Sequence, residues 1–148
     1  MRHRSGAFIA LIAGAALTGT APPASDVAVT GTVTGLRSSH GQVLACLTTR
    51  PDAFPDCEKD PEAHTLTVPA GDVVMLDFGR VHPGRYAVSL IHDENGNGKL
   101  DTRLMIPREG FGFSRDAPVG MGPPRFDRAA FAVDHEAVQL EIRMRYIL

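Results

Sequence analysis

The chain has 148 residues, of which 43% are hydrophobic, and its formal net charge is −2. A chain of this length builds one domain around one core, and a second domain is not expected. The slightly acidic balance excludes nucleic acid as a partner, because binding phosphates needs a basic face that this composition does not supply.

The first residues have the pattern of an export signal. Arg2 and Arg4 give a basic start, residues 7–17 are apolar, and residues 18–24 are mostly small. This order predicts a secretory signal peptide at residues 1–24, followed by a mature domain at residues 25–148 that is periplasmic or secreted. The apolar run is about half of the roughly 20 residues that a bilayer span needs, so no membrane span is expected in the mature chain. Losing the two arginines moves the net charge from −2 to −4.

Alternation of apolar and polar residues with a period of two predicts about seven short strands. They lie at residues 27–36, 42–48, 64–68, 73–78, 85–92, 129–133 and 138–146. The first two are expected to form a hairpin across the polar turn at residues 37–41. No segment shows a sustained helical period. The pattern therefore predicts an all-β fold, a single antiparallel β-sandwich of immunoglobulin-like or transthyretin-like character.

The only two cysteines, Cys46 and Cys57, lie on the second predicted strand and in the proline-rich loop that follows it. An exported protein meets an oxidising compartment, where such a pair can form a disulfide. The alternative is a buried Cys46 on its strand and an unrelated Cys57 in the loop. Spacing alone does not decide between them, because a disulfide requires a short Cα separation.

Short oxygen-bearing side chains recur in the stretch after the fifth predicted strand. Asp93, Asn95, Asn97 and Asp101, with the carbonyl of Lys99, match the pattern by which a loop surrounds a calcium ion. The alternative is a series of Asx turns, in which the same side chains bond to their own backbone. The predicted cofactor is therefore calcium or none.

The calcium interpretation has one gap in its ligand set. Leu104 stands where the related EF-hand loop has a bidentate glutamate. Calcium affinity should be low unless Glu94, Glu109 or Asp116 folds in from the neighbouring loop.

Glycine and proline are dense from residue 104 to residue 126, and no regular element of ordinary length is expected there. Phe111, Phe113 and Phe126 indicate that the segment is ordered nonetheless. One interpretation is an aromatic surface for a peptide, a glycan or an envelope protein. The other is that the three rings fold under and seal one end of the sandwich.

The sequence contains no nucleophile elbow, zinc-binding helix or phosphate-binding loop. His92, at the end of the fifth predicted strand, is interpreted as a capping residue that donates to the carboxylate of a loop residue, with a metal ligand or a proton carrier as the alternative. We therefore expect a non-enzymatic protein. A hydrolase is the remaining enzymatic alternative, because an active site needs no short motif.

Five sequence runs resemble a family. They are Gly-Gln-Val-Leu at 41–44, Pro-Gly-Arg-Tyr-Ala-Val at 83–88, His-Asp-Glu-Asn-Gly-Asn-Gly-Lys-Leu-Asp-Thr at 92–102, Glu-Gly-Phe-Gly-Phe-Ser at 109–114 and Gly-Pro-Pro at 122–124. Together they resemble the DUF2141 family of exported bacterial proteins, over nearly all of the mature chain. The resemblance implies the fold and the export address, and it implies no particular activity.

Overall fold

The computed structural model describes residues 24–148, and they form an almost entirely β structure. The predicted signal peptide at residues 1–24 lies outside the described residues, apart from its last position. The ten strands are β1 (Val27–Thr34), β2 (Gln42–Thr48), β3 (His64–Pro69), β4 (Val74–Val81), β5 (Gly84–Asp93), β6 (Thr102–Arg103), β7 (Ile106–Pro107), β8 (Gly110–Phe113), β9 (Phe131–Val133) and β10 (Val138–Arg143). A 3-10 turn at Ser114–Asp116 and one short helix, α1 (Phe126–Ala129), complete the set.

Two sheets pack face to face. The smaller has the strand order β10-β1-β4, and the larger has the order β3-β2-β5-β8, with β9 also paired to β5. The sandwich predicted from the sequence is confirmed, and all seven predicted strands are present. Within residues 24–148, no helix has the length and apolar character needed to cross a membrane.

Two details of the strand pairing differ from the prediction. The expected hairpin between the first two strands is wrong, because β1 pairs with β4 and β10 in the smaller sheet, while β2 pairs with β3 and β5. The pairing of β1 with β10 is also parallel, whereas every other strand pair is antiparallel. The strands β1 and β2, which are neighbours in the sequence, therefore lie in different sheets.

The alternating apolar residues of both sheets meet in the core. Val29 and Val33 from β1, Val43 and Leu47 from β2, and Ile142 from β10 are all buried there. Since successive side chains of a strand point to opposite faces, this burial is the physical result of the period of two seen in the sequence. The core positions the long strand β5, whose end carries the loop considered below.

A second apolar cluster covers the outer face of the larger sheet. Phe111, Phe113 and Phe126 are buried in it, together with Ala87 of β5. The Phe54 ring packs against Phe113 and Phe126 at centroid distances of 5.8 and 6.0 Å. The three rings are folded under, and they cover the outer face of a sheet rather than the end of the sandwich.

Strand β8 was not expected in the glycine-rich segment. Both glycines of its Gly-Phe-Gly-Phe sequence face β10 and the chain that follows it, where a Cβ on Gly110 would lie 2.5 Å from Tyr146 Cε1 and one on Gly112 would lie 3.0 Å from Ile142 Cγ2. Phe111 also forms two backbone hydrogen bonds with Arg145, of 3.0 and 2.8 Å, which join the two sheets along one side. Glycine is required here for close packing, so its presence does not exclude a strand.

Candidate functional site

Asp93 ends β5 and is fully buried beneath the loop that follows it. Its carboxylate accepts hydrogen bonds from the backbone N–H of Asn97 at 3.0 Å, the N–H of Gly98 at 2.8 Å, and Gln42 Nε2 at 2.9 Å. Burial acts to raise the pKa of Asp93, but these hydrogen bonds outweigh it and lower the pKa below its ordinary value. Asp93 therefore serves as a charged acceptor that folds the loop around itself.

The two asparagines of the loop form Asx turns. Asn95 Oδ1 accepts from the N–H of Asn97, and Asn97 Oδ1 accepts from the N–H of Lys99, each at 3.1 Å. Gly96 and Gly98 have φ angles of 71° and 81°, a left-handed conformation that glycine adopts without strain. These bonds are the ones that the Asx-turn interpretation predicts.

The side-chain ends of Asn95, Asn97 and Asp101 converge on one point. Asn95 Nδ2 donates to Asp101 Oδ2 at 2.6 Å, and Asn97 Nδ2 donates to both carboxylate oxygens at 3.0 Å. The bonds from Asn97 and Asn95 lower the pKa of Asp101. Three of the predicted calcium ligands are thus brought together, while the Asp93 carboxylate is occupied by backbone N–H groups.

Glu109 is buried and joins the two ends of the loop. Its Oε1 accepts from the N–H of Glu94 at 3.1 Å, and its Oε2 accepts from the N–H of Asp101 at 3.0 Å. Of the three acids that could have folded in, Glu109 does so as a hydrogen-bond acceptor. Asp116 instead accepts from the N–H of Arg143.

The first turn of the loop is tied to the C-terminal segment through Glu94. Its carboxylate pairs with the Arg37 guanidinium at 2.5 Å, and this partner lowers the pKa of Glu94. The same guanidinium lies 4.5 Å from the ring centroid of Tyr146, whose hydroxyl is 2.7 Å from Nδ1 of the fully buried His92. Nε2 of His92 lies 2.8 Å from the carbonyl oxygen of His40, which can only accept, so Nε2 donates and Nδ1 accepts from Tyr146. His92 therefore caps the end of β5, but its partner is a backbone carbonyl and the predicted loop carboxylate is wrong.

A metal ion in the described part of the chain could be held by a group of acidic, histidine or cysteine side chains. No three such side chains are grouped around one position within residues 24–148. The predicted calcium set has only two of these residues, Asp93 and Asp101, so this finding does not test it.

Cys46 and Cys57 are joined by a disulfide, and their Cα atoms are 6.3 Å apart. The bond fastens the proline-rich loop to β2. Ser89 Oγ of β5 adds a hydrogen bond to the carbonyl of Pro55 in the same loop. Together these contacts hold residues 50–62 over one end of the outer face of the larger sheet.

An apolar groove of about 660 Å³ lies on this outer face. Pairing in the sheet places Leu44, Ile91 and Phe111 side by side on its floor. The 93–101 loop and the β6–β7 hairpin border it where β5 ends, and the Pro55–Glu58 segment borders it above Ser89. Residues 119–123, which follow β8 in the chain, complete the rim. The loop and the glycine-rich segment predicted to carry function are thus two walls of one groove.

Large apolar side chains are exposed around this groove. Met105 is 93% exposed and Met121 is fully exposed, and Ile106 and Ile147 also lie on the rim with much of their surface in solvent. Leu104 and Met105 have φ angles of 51° and 65°, in the left-handed region that non-glycine residues rarely adopt. Sequence reasoning missed these rim residues, because their exposure depends on tertiary structure. The sequence feature that could have indicated them is the presence of two methionines within a glycine- and proline-rich segment.

The three predicted binding phenylalanines have different places in this site. Phe111 and Phe113 line the groove with the exposed part of their rings, and both are mostly buried. Phe126 does not line the groove and is a buried member of the outer cluster. Their binding role stays a prediction, while their packing role is visible.

A family model described as an uncharacterized protein conserved in bacteria (DUF2141) matches residues 32–141. No curated protein and no solved structure matches the chain.

Proposed function

The chain belongs to the DUF2141 family, and on that premise we propose that it is an exported, non-enzymatic binding module whose outer groove takes an apolar ligand. The observation that carries the proposal is the concentration of exposed apolar side chains around a single groove. Single apolar residues on a surface are ordinary, but a contiguous group around a concave site marks a place where a ligand or partner removes them from water.

The chemistry of the rim supports an adaptable site. Methionine has a flexible, polarizable side chain that fits ligands of varied shape. The floor is formed by Leu44, Ile91 and Phe111, so an apolar ligand gains from burial there. A glycan fits this floor poorly, because its hydroxyl groups would meet few hydrogen-bond partners. An envelope protein would use the same groove by presenting an apolar side chain.

Two further features support the non-enzymatic and exported parts of the proposal. The buried acids and histidine, which are Asp60, His92, Asp93 and Glu109, are occupied by hydrogen bonds that hold loops in place, and none of them lines the groove. Disulfides persist in oxidising compartments, which agrees with the export pattern at the start of the sequence.

The proposal is tested by titrating the purified protein with N-phenyl-1-naphthylamine, a neutral probe that fluoresces in apolar sites. We expect saturable binding that weakens at least several-fold when Met105 and Met121 are both changed to Gln. The matched control is Met75→Gln, because Met75 is 64% exposed and lies on the smaller sheet. Equal binding by the double variant and the control would contradict the proposal.

A second candidate role is calcium binding by the 93–101 loop. The convergence of Asn95, Asn97 and Asp101 favours it. If both side-chain amides turned over, which would break their two Asx-turn hydrogen bonds, their oxygens would face a cation beside the Asp101 carboxylate, and the carbonyl of Lys99 would lie in the same loop. A bound ion would stiffen the wall of the groove.

Thermal unfolding with and without millimolar calcium tests this role. Calcium at a concentration above its dissociation constant must raise the melting temperature. Asp101→Asn should remove most of that rise. An unchanged melting temperature on adding calcium would rule the role out.

A further inference from the structure

We propose that the ligand of the outer groove is a fatty acid, with its alkyl chain on the floor and its carboxylate at Lys99. This inference rests on the proposed function and adds the chemical class of the ligand. Three observations carry it: the small number of free polar groups on the floor, the distribution of charge along the rim, and the size of the groove.

The hydroxyls of Thr65 and Thr67, which β3 places beside Cys46 and Leu44, line the groove, and apart from them the floor offers few hydrogen bonds to a ligand. It is formed by β2 and β5, whose backbone groups are paired on both sides within the sheet, and by β8, which pairs with β5. Ser89 Oγ already donates to the carbonyl of Pro55, and Cys46 is part of the disulfide. A peptide lying here would leave its own buried N–H and C=O groups unpaired, which is costly. An alkyl chain has no such groups.

Charge along the rim selects the head group and its position. Lys99 is the only basic residue that lines the groove, and within residues 24–148 it forms no ion pair. Asp56 and Glu58 line the groove beside Pro55, near the Ser89 end of the floor. A carboxylate is repelled by those two acids and attracted by the ammonium of Lys99, whereas Asp101, the acid whose pKa the Lys99 charge lowers, does not line the groove. An acidic amphiphile is therefore oriented with its head at the 93–101 loop.

The groove is large enough to hold an alkyl chain. Its volume of about 660 Å³ lies within the range of sites that enclose small organic ligands. The exposed methionines on its rim, Met105 and Met121, can fold over a flexible chain. Each methylene that enters the groove should tighten binding about fourfold, as transfer out of water does.

The test is calorimetric titration of the purified protein with octanoate, decanoate and dodecanoate, each below its micelle concentration. We expect affinity to rise about sixteenfold for each pair of added methylenes until the groove is full. Decanol, which has the same chain as decanoate and no charge, should bind more weakly than decanoate.

A pair of lysine variants isolates the head group. Lys99→Gln should weaken decanoate by up to about fivefold, the range of an exposed ion pair, and leave decanol unchanged. Lys59→Gln is the matched control, because it removes the chain's other lysine, which does not line the groove. It should change neither affinity.

The outcomes separate the two proposals. If decanol binds as tightly as decanoate and Lys99→Gln changes neither, the acidic class of ligand is overturned, while the groove retains an apolar ligand. If affinity is independent of chain length, the alkyl chain is overturned. If the neutral naphthylamine probe and all three acids fail to bind, the proposed function fails with the inference.

Discussion

Asp93 offers the sharpest test of the loop, because removing its carboxylate should destabilise the protein far more than removing that of Asp101. Asp93 is fully buried and holds the N–H groups of Asn97 and Gly98, whereas Asp101 is partly exposed and holds only side-chain amides. A hydrogen bond to a charged group contributes about 1.5–3 kcal/mol. Asn97 and Gly98 are exposed, so water can replace part of the loss, and we expect Asp93→Ala to cost about 3 kcal/mol.

Asp101→Ala is the matched comparison in the same loop. Its amide partners can turn to water, so in calcium-free buffer it should cost less than about 0.5 kcal/mol. Both values are measured by urea unfolding, from the shift in midpoint at constant slope. Equal losses for the two variants, or a loss below about 1 kcal/mol for Asp93→Ala, would refute the reasoning that the buried carboxylate folds the loop.

Three further predictions concern packing, pH and the disulfide. Gly110→Ala should destabilise the protein by about 1–3 kcal/mol because its Cβ would overlap the Tyr146 ring, whereas Gly120→Ala, with nothing within 4 Å, should be neutral in the same urea assay. Folding lowers the pKa of Asp93, so its carboxylate contributes its full stability above the unfolded pKa of about 3.9 and loses that stability as pH falls through the folded pKa. Unfolding curves from pH 5 to pH 2 should show this loss of stability. The Asp93→Asn variant should lose less stability over the same range. Replacing both Cys46 and Cys57 with Ser should lower stability by up to about 3 kcal/mol, whereas unchanged unfolding on reduction would show that the closed loop adds no stability.

The strands were predictable because each alternates on its own. Val29 and Val33 alternate with threonines, and the sequence from residue 138 to 146 alternates without a break, so local pattern and final burial agree. Their pairing was not predictable from the same signal. The parallel contact of β1 with β10 joins the two ends of the domain, and a local pattern contains no information about such a distant partner.

The strand in the glycine-rich segment was missed for a physical reason. Gly110 and Gly112 reduce the intrinsic preference for a strand, but a Cβ on Gly110 would lie 2.5 Å from the Tyr146 ring and one on Gly112 would lie 3.0 Å from Ile142. The requirement for glycine comes from Tyr146 and Ile142, which lie more than 25 residues away in the sequence. Tertiary packing therefore overrode local propensity at this strand.

In the candidate site, too, the local contacts were predictable from the sequence and the distant contacts were not. The Asx turns of Asn95 and Asn97 involve partners two residues away, and the sequence was enough to propose them. The role of Glu109 as a bridge between both ends of the loop depends on a partner 15 residues distant, Glu94. The groove was invisible in the sequence, because its floor and walls come from segments that meet only in the folded sheet.

The most direct test of the groove is to follow backbone and methyl NMR signals while decanoate is added. The account predicts saturable shifts at floor residues Leu44 and Ile91 and at the rim methyl of Met105. Val29 in the core and Met75 on the smaller sheet should not shift. Shifts confined to the smaller sheet, or scattered over the surface without saturation, would contradict the claim that this face is the binding site.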